Sequence, residues 1–277
     1  MDRGLKRKCI QLASAVLYNA NFAGFRDGAL WQGGSKGLCV PGLNCYSCPG
    51  AVGSCPLGAL QNALSRMPKK LPLYIGGFIL LTGLALGRLV CGFLCPFGLI
   101  QELLHKLPGP KIGKSPWTRR LSWLKYIILG LFVVAIPLYA AWAHGYPLPA
   151  FCKYICPAGT LEGGWPLALL RADIRGRLGG LFGWKSVLCV VMLLSCVFCY
   201  RSFCRFLCPL GAIYSLFARV ALLAMRVDKS LCDNCGACVK KCPVDVRRVG
   251  DRECVQCGAC RAVCPKNAIY FGKEKRI

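Results

Sequence analysis

Apolar runs alternate along this chain with short polar and basic stretches. Leu71–Val90, Leu121–Ala143 and Leu181–Tyr200 each approach the roughly 20 apolar residues a helix needs to cross a bilayer. Cys9–Phe25 is a weaker fourth run, interrupted by Asn19 and Asn21. Glycines within two of the better runs suit membrane helices more than soluble ones. Phe206–Met225 is also apolar, but it carries Arg219 and follows a Cys-Pro pair, so it reads as an amphipathic helix on the membrane surface. From about residue 226 the apolar runs give way to cysteines, basic residues and turn formers. The pattern predicts an α-helical integral membrane protein with about four transmembrane helices, and the doubled Cys-x2-Cys-x2-Cys-x3-Cys run within residues 232–264 predicts that a small C-terminal α+β domain of ferredoxin type follows.

The membrane part repeats itself. Cys-Pro-x-Gly occurs at Cys55, Cys95, Cys156 and Cys208, and three of these have a second cysteine four residues earlier: Cys91, Cys152 and Cys204. The strings Arg88-Leu-Val-Cys91-Gly-Phe-Leu-Cys95-Pro-Phe-Gly and Arg201-Ser-Phe-Cys204-Arg-Phe-Leu-Cys208-Pro-Leu-Gly nearly superimpose. Residues 1–225 therefore read as a duplicated transmembrane iron–sulfur domain with pseudo-repeated halves at about 9–104 and 121–218. Met225–Ser230 reads as a linker, 226–277 as the ferredoxin domain, and Lys273–Arg276 as a solvated basic tail.

Composition sharpens this picture. Hydrophobic residues make up 55% of the chain, and the mean hydropathy is +0.48. Lysine and arginine number 36 against 11 acidic residues, a formal charge of +25. No nucleic-acid recognition motif accompanies that charge, and the basic residues flank apolar runs, so membrane lipid is the expected partner and nucleic acid is not. The basic start (Arg3, Lys6, Arg7, Lys8) and the loop His105–Lys125 place those segments in the cytoplasm, with Lys69, Lys70, Arg171, Arg175 and Arg177 near the other face. The expected location is the cell (inner) membrane, multi-pass, with the ferredoxin domain cytoplasmic. No convincing signal-cleavage pattern follows the basic start.

The 22 cysteines carry the chemistry. Residues 232–264 read Cys-x2-Cys-x2-Cys-x3-Cys-Pro twice, across a ten-residue spacer. Such runs hold two 4Fe-4S clusters, with the fourth cysteine of each run serving the other cluster. Cys232, Cys235, Cys238 and Cys264 form one set, and Cys254, Cys257, Cys260 and Cys242 the other. Zinc knuckles pair across longer loops, and disulfides suit an oxidising compartment, so both are the weaker readings.

At the inner face, Cys91, Cys95, Cys204 and Cys208 supply four thiolates from the two halves. Cysteines four apart share a helix face, and the following proline ends or kinks the helix. Together they suit a third cluster. Arg88 and Arg201 either offset its charge or contact lipid phosphate. At the outer face, Cys39, Cys45, Cys48, Cys55, Cys152 and Cys156 offer at least one further cluster. The first four could hold it alone, two or three could combine with Cys152 and Cys156, or the group forms disulfides. Cys189 and Cys196 read as packing residues and Cys199 as a spare ligand. His105 and His144 fall at opposite ends of one run, which disfavours a bis-histidine haem. No dinucleotide fingerprint, P-loop or catalytic triad is present, so quinone or flavin would bind without a readable motif.

Residues 71–277 resemble the NapH-type membrane polyferredoxins, quinol-dehydrogenase components that feed electrons to periplasmic reductases. The resemblance rests on the two Arg-x2-Cys-x3-Cys-Pro strings, the runs around them, and the tandem ferredoxin motif. It implies four spans, cytoplasmic clusters, and electron exchange with the membrane. The chain departs from that pattern in Cys39–Cys55 and in Cys152/Cys156, where face-to-face clusters would carry electrons without a quinone. The expected function is therefore a membrane-bound electron-transfer subunit of an oxidoreductase complex. Its partners would be an acidic ferredoxin or flavodoxin, or a reductase complex. The alternative is a membrane metal reductase or metal-handling maturation factor whose outer thiolates capture a soft ion.

Overall fold

The computed structural model describes residues 3–66 and 72–272. Leu71, the pair Lys69 and Lys70, and the tail Lys273–Arg276 lie outside the described residues.

Among the described residues, two helical stretches are long and apolar enough to cross a membrane, Pro116–His144 and Gly180–Phe198. Ser115 caps the first by accepting the Trp117 N–H. Within it, Leu129–Ala135 winds as a π-helix. Protein covers little of either stretch, leaving Leu131, Trp142, Val187, Val191 and Leu194 exposed as an apolar belt suited to lipid. Leu73–Ala85 is shorter, with 13 residues. At 1.5 Å per residue it covers only about 20 Å. The first helix runs Arg3–Tyr18.

Each Cys-Pro pair breaks the chain in a set way. Leu89–Phe93 ends before Cys95, which takes an extended conformation, and Pro96 opens the next helix, Pro96–Leu104. Ser202–Phe206 and Pro209–Leu216 repeat the arrangement around Cys208. Pro56–Leu64 likewise begins after extended Cys55. A proline is well placed at a first helical position, where its missing N–H costs nothing. Cys91 and Cys95 therefore do not share one continuous helix face, as four-residue spacing suggests. They converge across a helix break.

The surface-helix expectation for Phe206–Met225 is also corrected. Every residue of Pro209–Ser215 is buried, so this helix belongs to the core. Its arginine, Arg219, lies beyond the helix end. Residues Ala224–Val227, in the stretch read as a linker, form a strand antiparallel to Ile269–Gly272. That pairing closes the ferredoxin domain upon itself and ties its last strand to the end of the membrane part.

A single apolar core joins the two halves. It contains Cys55, Cys91, Cys95, Cys156, Cys204 and Cys208 together with Leu57, Phe97, Phe151, Phe203 and Tyr214. Phe97 and Phe203, one from each half, meet edge to face at 5.1 Å.

Candidate iron–sulfur centres and their neighbours

Cys91, Cys95, Cys204 and Cys208 line one small cavity, with Gly42, Leu43, Gly98's neighbour Phe97, and Gly211 completing its wall. The glycines are needed for closeness. A Cβ on Gly42 would lie 3.0 Å from the Leu94 carbonyl oxygen and 3.1 Å from the Cys95 Cα.

Arg88 and Arg201 flank this cavity crosswise. Both are fully buried, which excludes the lipid-phosphate role. A Cβ on Gly211 would lie 3.7 Å from the Arg88 guanidinium, and one on Gly98 would lie 3.3 Å from that of Arg201. Each arginine thus reaches the Cys-Pro-x-Gly turn of the other half. Arg201 donates to the Cys91 carbonyl at 2.6 Å and pairs with Glu102 at 2.8 Å. Arg88 donates to the Arg252 carbonyl at 2.7 Å, while its Nε and Nη2 have no hydrogen-bond partner. Unpaired buried cationic donors are costly unless an anion faces them. Four thiolates around a cavity, with a buried guanidinium beside them, fit an anionic 4Fe-4S cluster.

Glu102 anchors the far side of Arg201. It also accepts from Arg7 at 2.6 Å and from the Tyr200 hydroxyl at 2.6 Å. Burial opposes charge on Glu102, but the Arg7 hydrogen bond and the Arg201 charge outweigh it and bring its pKa down to about 2.

The second group surrounds Cys55, Cys152 and Cys156. Cys45 lies within electrostatic range of Cys156 and Cys55, and Cys39 within range of Cys55. Cys48 lies within electrostatic range of Glu162 and Lys36. All six are free thiols with no disulfide among them. Lys36 is buried and donates to the Ala51 carbonyl at 2.7 Å. Glu162 accepts the Cys45 N–H at 2.7 Å. Neither Lys36 nor Glu162 stands out in the sequence, since nothing local marks a polar residue that long-range packing will enclose.

The two groups are neighbours. Consecutive backbone N–H groups reach both of them: that of Leu43 points to Cys95, and that of Asn44 to Cys55. The helix Gly180–Phe198 gives a ruler. Cys189 donates to the Pro157 carbonyl at 3.6 Å, beside the second group. Cys196 contacts Gln101 Oε1 at 3.7 Å, beside the first. Seven residues separate them in the sequence, a rise of about 10 Å. Placing the groups at opposite faces of a hydrocarbon layer about 30 Å thick is therefore corrected. They are stacked in one core because the Cys39–Cys55 segment folds inward, with the Pro41 carbonyl accepting from Tyr214 at 2.9 Å.

In the ferredoxin domain, Cys232, Cys235, Cys238 and Cys264 line one cleft of about 700 Å³. Cys242 interacts with Cys254 and Cys257 instead, and Cys260 with Cys254, Cys257 and Cys242 ahead of Cys238. Burial pushes the Cys242 and Cys260 thiols up to about 12, with neighbouring thiols adding to it. The turns of both runs are left-handed at the same places, Asn234 and Gly236 in one, Gln256 and Gly258 in the other. Cys199, the spare ligand of the sequence reading, instead accepts from Arg205 at 3.0 Å. Cys9 is exposed.

This domain sits directly on the first group. A Cβ on Gly92, between Cys91 and Cys95, would lie 2.4 Å from the Val255 carbonyl oxygen. Glu253, next to Cys254, pairs with Lys125 and Arg88, both fully buried. Arg205 pairs with Asp245.

Comparison with known proteins agrees with the cysteine spacing. A family described as a 4Fe-4S binding domain matches residues 54–74, 71–115, 147–167 and 181–229. A second family of the same description matches 225–248 and 250–270. The methylamine utilization ferredoxin-type protein MauN of Paracoccus denitrificans is 31% identical over 251 residues, covering 86% of this chain and 75% of MauN. The chain belongs to the ferredoxin-type electron-transport proteins. The ferredoxin-type protein NapH of Haemophilus influenzae is 27% identical over 195 residues, 68% of this chain and 59% of NapH. The regulatory protein NosR of Pseudomonas aeruginosa is 29% identical over 161 residues, 56% of this chain and 20% of NosR. No solved structure matches. As a ferredoxin-type protein the chain is an iron–sulfur electron-transfer protein, and among its described residues two helices are long and apolar enough to cross a membrane.

Proposed function

We propose that this chain is the membrane-embedded wire of an oxidoreductase complex, passing electrons between a cytoplasmic carrier and a partner in or beyond the membrane. The observation that carries this reading is the contact between Gly92 and Val255, which seats the Cys254 loop on the Cys91–Cys95 break. Two clusters in the ferredoxin domain, one on Cys91, Cys95, Cys204 and Cys208, and one among the second group would supply one-electron redox centres. Cys55, Cys152 and Cys156, with Cys45, are the thiols best gathered for the last of these.

The protein's own residues arrange the route. Arg88 and Arg201 hold positive charge against the first group from opposite halves. Glu253, Lys125 and Arg88 fasten the ferredoxin domain to it. The segment Leu43–Asn44 bridges to the second group with two adjacent N–H donors. About four spans, formed by the two long helices with Leu73–Ala85 and the first helix, would carry this core across the cell membrane with the ferredoxin domain cytoplasmic.

The cytoplasmic partner is an acidic electron carrier of ferredoxin or flavodoxin type. The cleft holding Cys232, Cys235, Cys238 and Cys264 is rimmed by Arg219, Arg226, Lys229, Arg247, Arg248 and Lys266. Complementary charge steers such encounters.

Sealed vesicles with the ferredoxin domain outward test the reading. A membrane-impermeant low-potential dye should deliver electrons to ferricyanide trapped inside, and transfer should be lost in Cys204→Ser and in Cys152→Ser. Transfer that survives both substitutions contradicts the proposed route.

A further inference from the structure

The position six residues beyond each Cys-Pro cysteine is polar in all four motifs: Gln61, Gln101, Glu162 and Tyr214. Gln61, Gln101 and Tyr214 are fully buried. The two in the second half hold the inward-folded N-terminal segment, Glu162 at the Cys45 N–H and Tyr214 at the Pro41 carbonyl. The two in the first half do something else.

Gln61 Nε2 donates to Cys152 Sγ at 3.2 Å, and Gln101 Nε2 donates to Cys204 Sγ at 3.0 Å. Cys152 and Cys204 are corresponding residues, each the first cysteine of a Cys-x3-Cys-Pro string in the second half. The orientation of both amides is set by their other ends. Gln61 Oε1 accepts the Phe151 N–H at 2.9 Å, and Gln101 Oε1 accepts the Cys204 N–H at 3.4 Å. With the oxygen so engaged, the amide NH2 is the end left facing sulfur. Each NH2 also reaches the carbonyl four residues back in its own helix, Leu57 at 3.3 Å and Phe97 at 3.2 Å. Three contacts of the same kind thus recur at two sites, with the backbone N–H shifted by one residue, from Phe151 before Cys152 to Cys204 itself.

We propose that Gln61 and Gln101 are paired potential-setting residues, each donating a hydrogen bond from one half to a ligand sulfur of the other. This rests on the reading that both groups of cysteines hold clusters. Reduction adds negative charge to the cluster and its sulfurs, and a donor aimed at a ligand sulfur favours the reduced form. Gln101 therefore raises the potential of the first centre and Gln61 that of the second. Having one donor at each centre lets the two steps of the wire be set separately.

The test is an EPR-monitored redox titration of the full chain, purified anaerobically in detergent, with iron and labile sulfide measured on the same samples. Gln101→Met and Gln61→Met should each lower one midpoint, a different one in each variant, leaving the ferredoxin-domain midpoints in place. A tenfold weakening of the reduction equilibrium is about 59 mV for one electron. Gln101→Glu keeps the acceptor oxygen for Cys204 and removes the amide donor. It should shift the same midpoint as Gln101→Met, and it supplies the measurement if the methionine variant loses iron. Unmoved midpoints at wild-type iron content overturn the potential-setting role while leaving the wire intact. Only about eight irons in the wild-type chain, the complement of the ferredoxin domain alone, would overturn the wire and this role together.

Discussion

Gly92 and Val255 touch backbone to backbone, so closely that a single added carbon on Gly92 would meet the Val255 carbonyl oxygen at 2.4 Å. Gly92 sits between two cysteines of the first group, and Val255 follows a cysteine of the ferredoxin domain. This contact joins the two parts of the chain beside the cysteines of each.

Gly92→Ala should therefore push the ferredoxin domain away from Cys91 and Cys95. The expected cost is about 1–3 kcal/mol, typical of overpacking against atoms that cannot turn aside. Stopped-flow reduction through the ferredoxin domain should show slower oxidation of its centres by the rest of the chain, at unchanged iron content.

Glu253→Gln removes the carboxylate shared by Lys125 and Arg88. Breaking a buried ion pair from one side costs about 3–5 kcal/mol, because the remaining charges lose their partner. Limited proteolysis under anaerobic conditions should release a C-terminal fragment from the variant at protease levels that leave the wild type whole.

Glu102→Gln tests the anchor of Arg201 and carries a pH signature. The Glu102 pKa falls from 4.5 to about 2 in the fold. Its ion pairs therefore stabilise the fold fully above pH 4.5, and that contribution is lost as pH falls toward about 2. The difference in thermal midpoint between wild type and Glu102→Gln should be constant from neutral pH down to about 5 and close below that.

Docking at the basic cleft should depend on salt. Replacing Arg247 and Arg248 with glutamine should lower the rate of reduction by an acidic ferredoxin at low ionic strength. The gap should narrow as salt screens the field over a Debye length of about 10 Å at 0.1 M. A rate that ignores both salt and substitution contradicts charge-steered docking.

Much of the chemistry was legible from cysteine spacing, because a cluster's ligands must recur at fixed short intervals. The doubled string around Cys91–Cys95 and Cys204–Cys208 marks two halves, and the structure gathers those four thiols into one cavity. Proline after cysteine also pointed to helix ends, although the new helix beginning at Pro96 places Cys95 at a break instead of on a face. What local pattern did not carry was long-range. The sequence leaves Arg88 open between offsetting thiolate charge and contacting lipid phosphate, and its burial beside Glu253, far along the chain, decides against the lipid. Gln61 and Gln101 look like ordinary helix residues until the second half supplies the sulfurs they reach. Phe206–Met225 reads as a surface helix because it carries Arg219 and follows a Cys-Pro pair, while the core that covers Pro209–Ser215 comes from elsewhere. The inward path of Leu43 and Asn44 has no periodic signature at all, and it is what brings the two groups of cysteines together.

The most direct measurement is iron and acid-labile sulfide per chain, in anaerobically purified wild type, Cys204→Ser and Cys152→Ser. The account predicts about sixteen irons in the wild type and about twelve in each variant, one tetranuclear cluster lost from each group independently. About eight irons in all three would contradict it, confining the clusters to the ferredoxin domain and leaving the membrane cysteines without them.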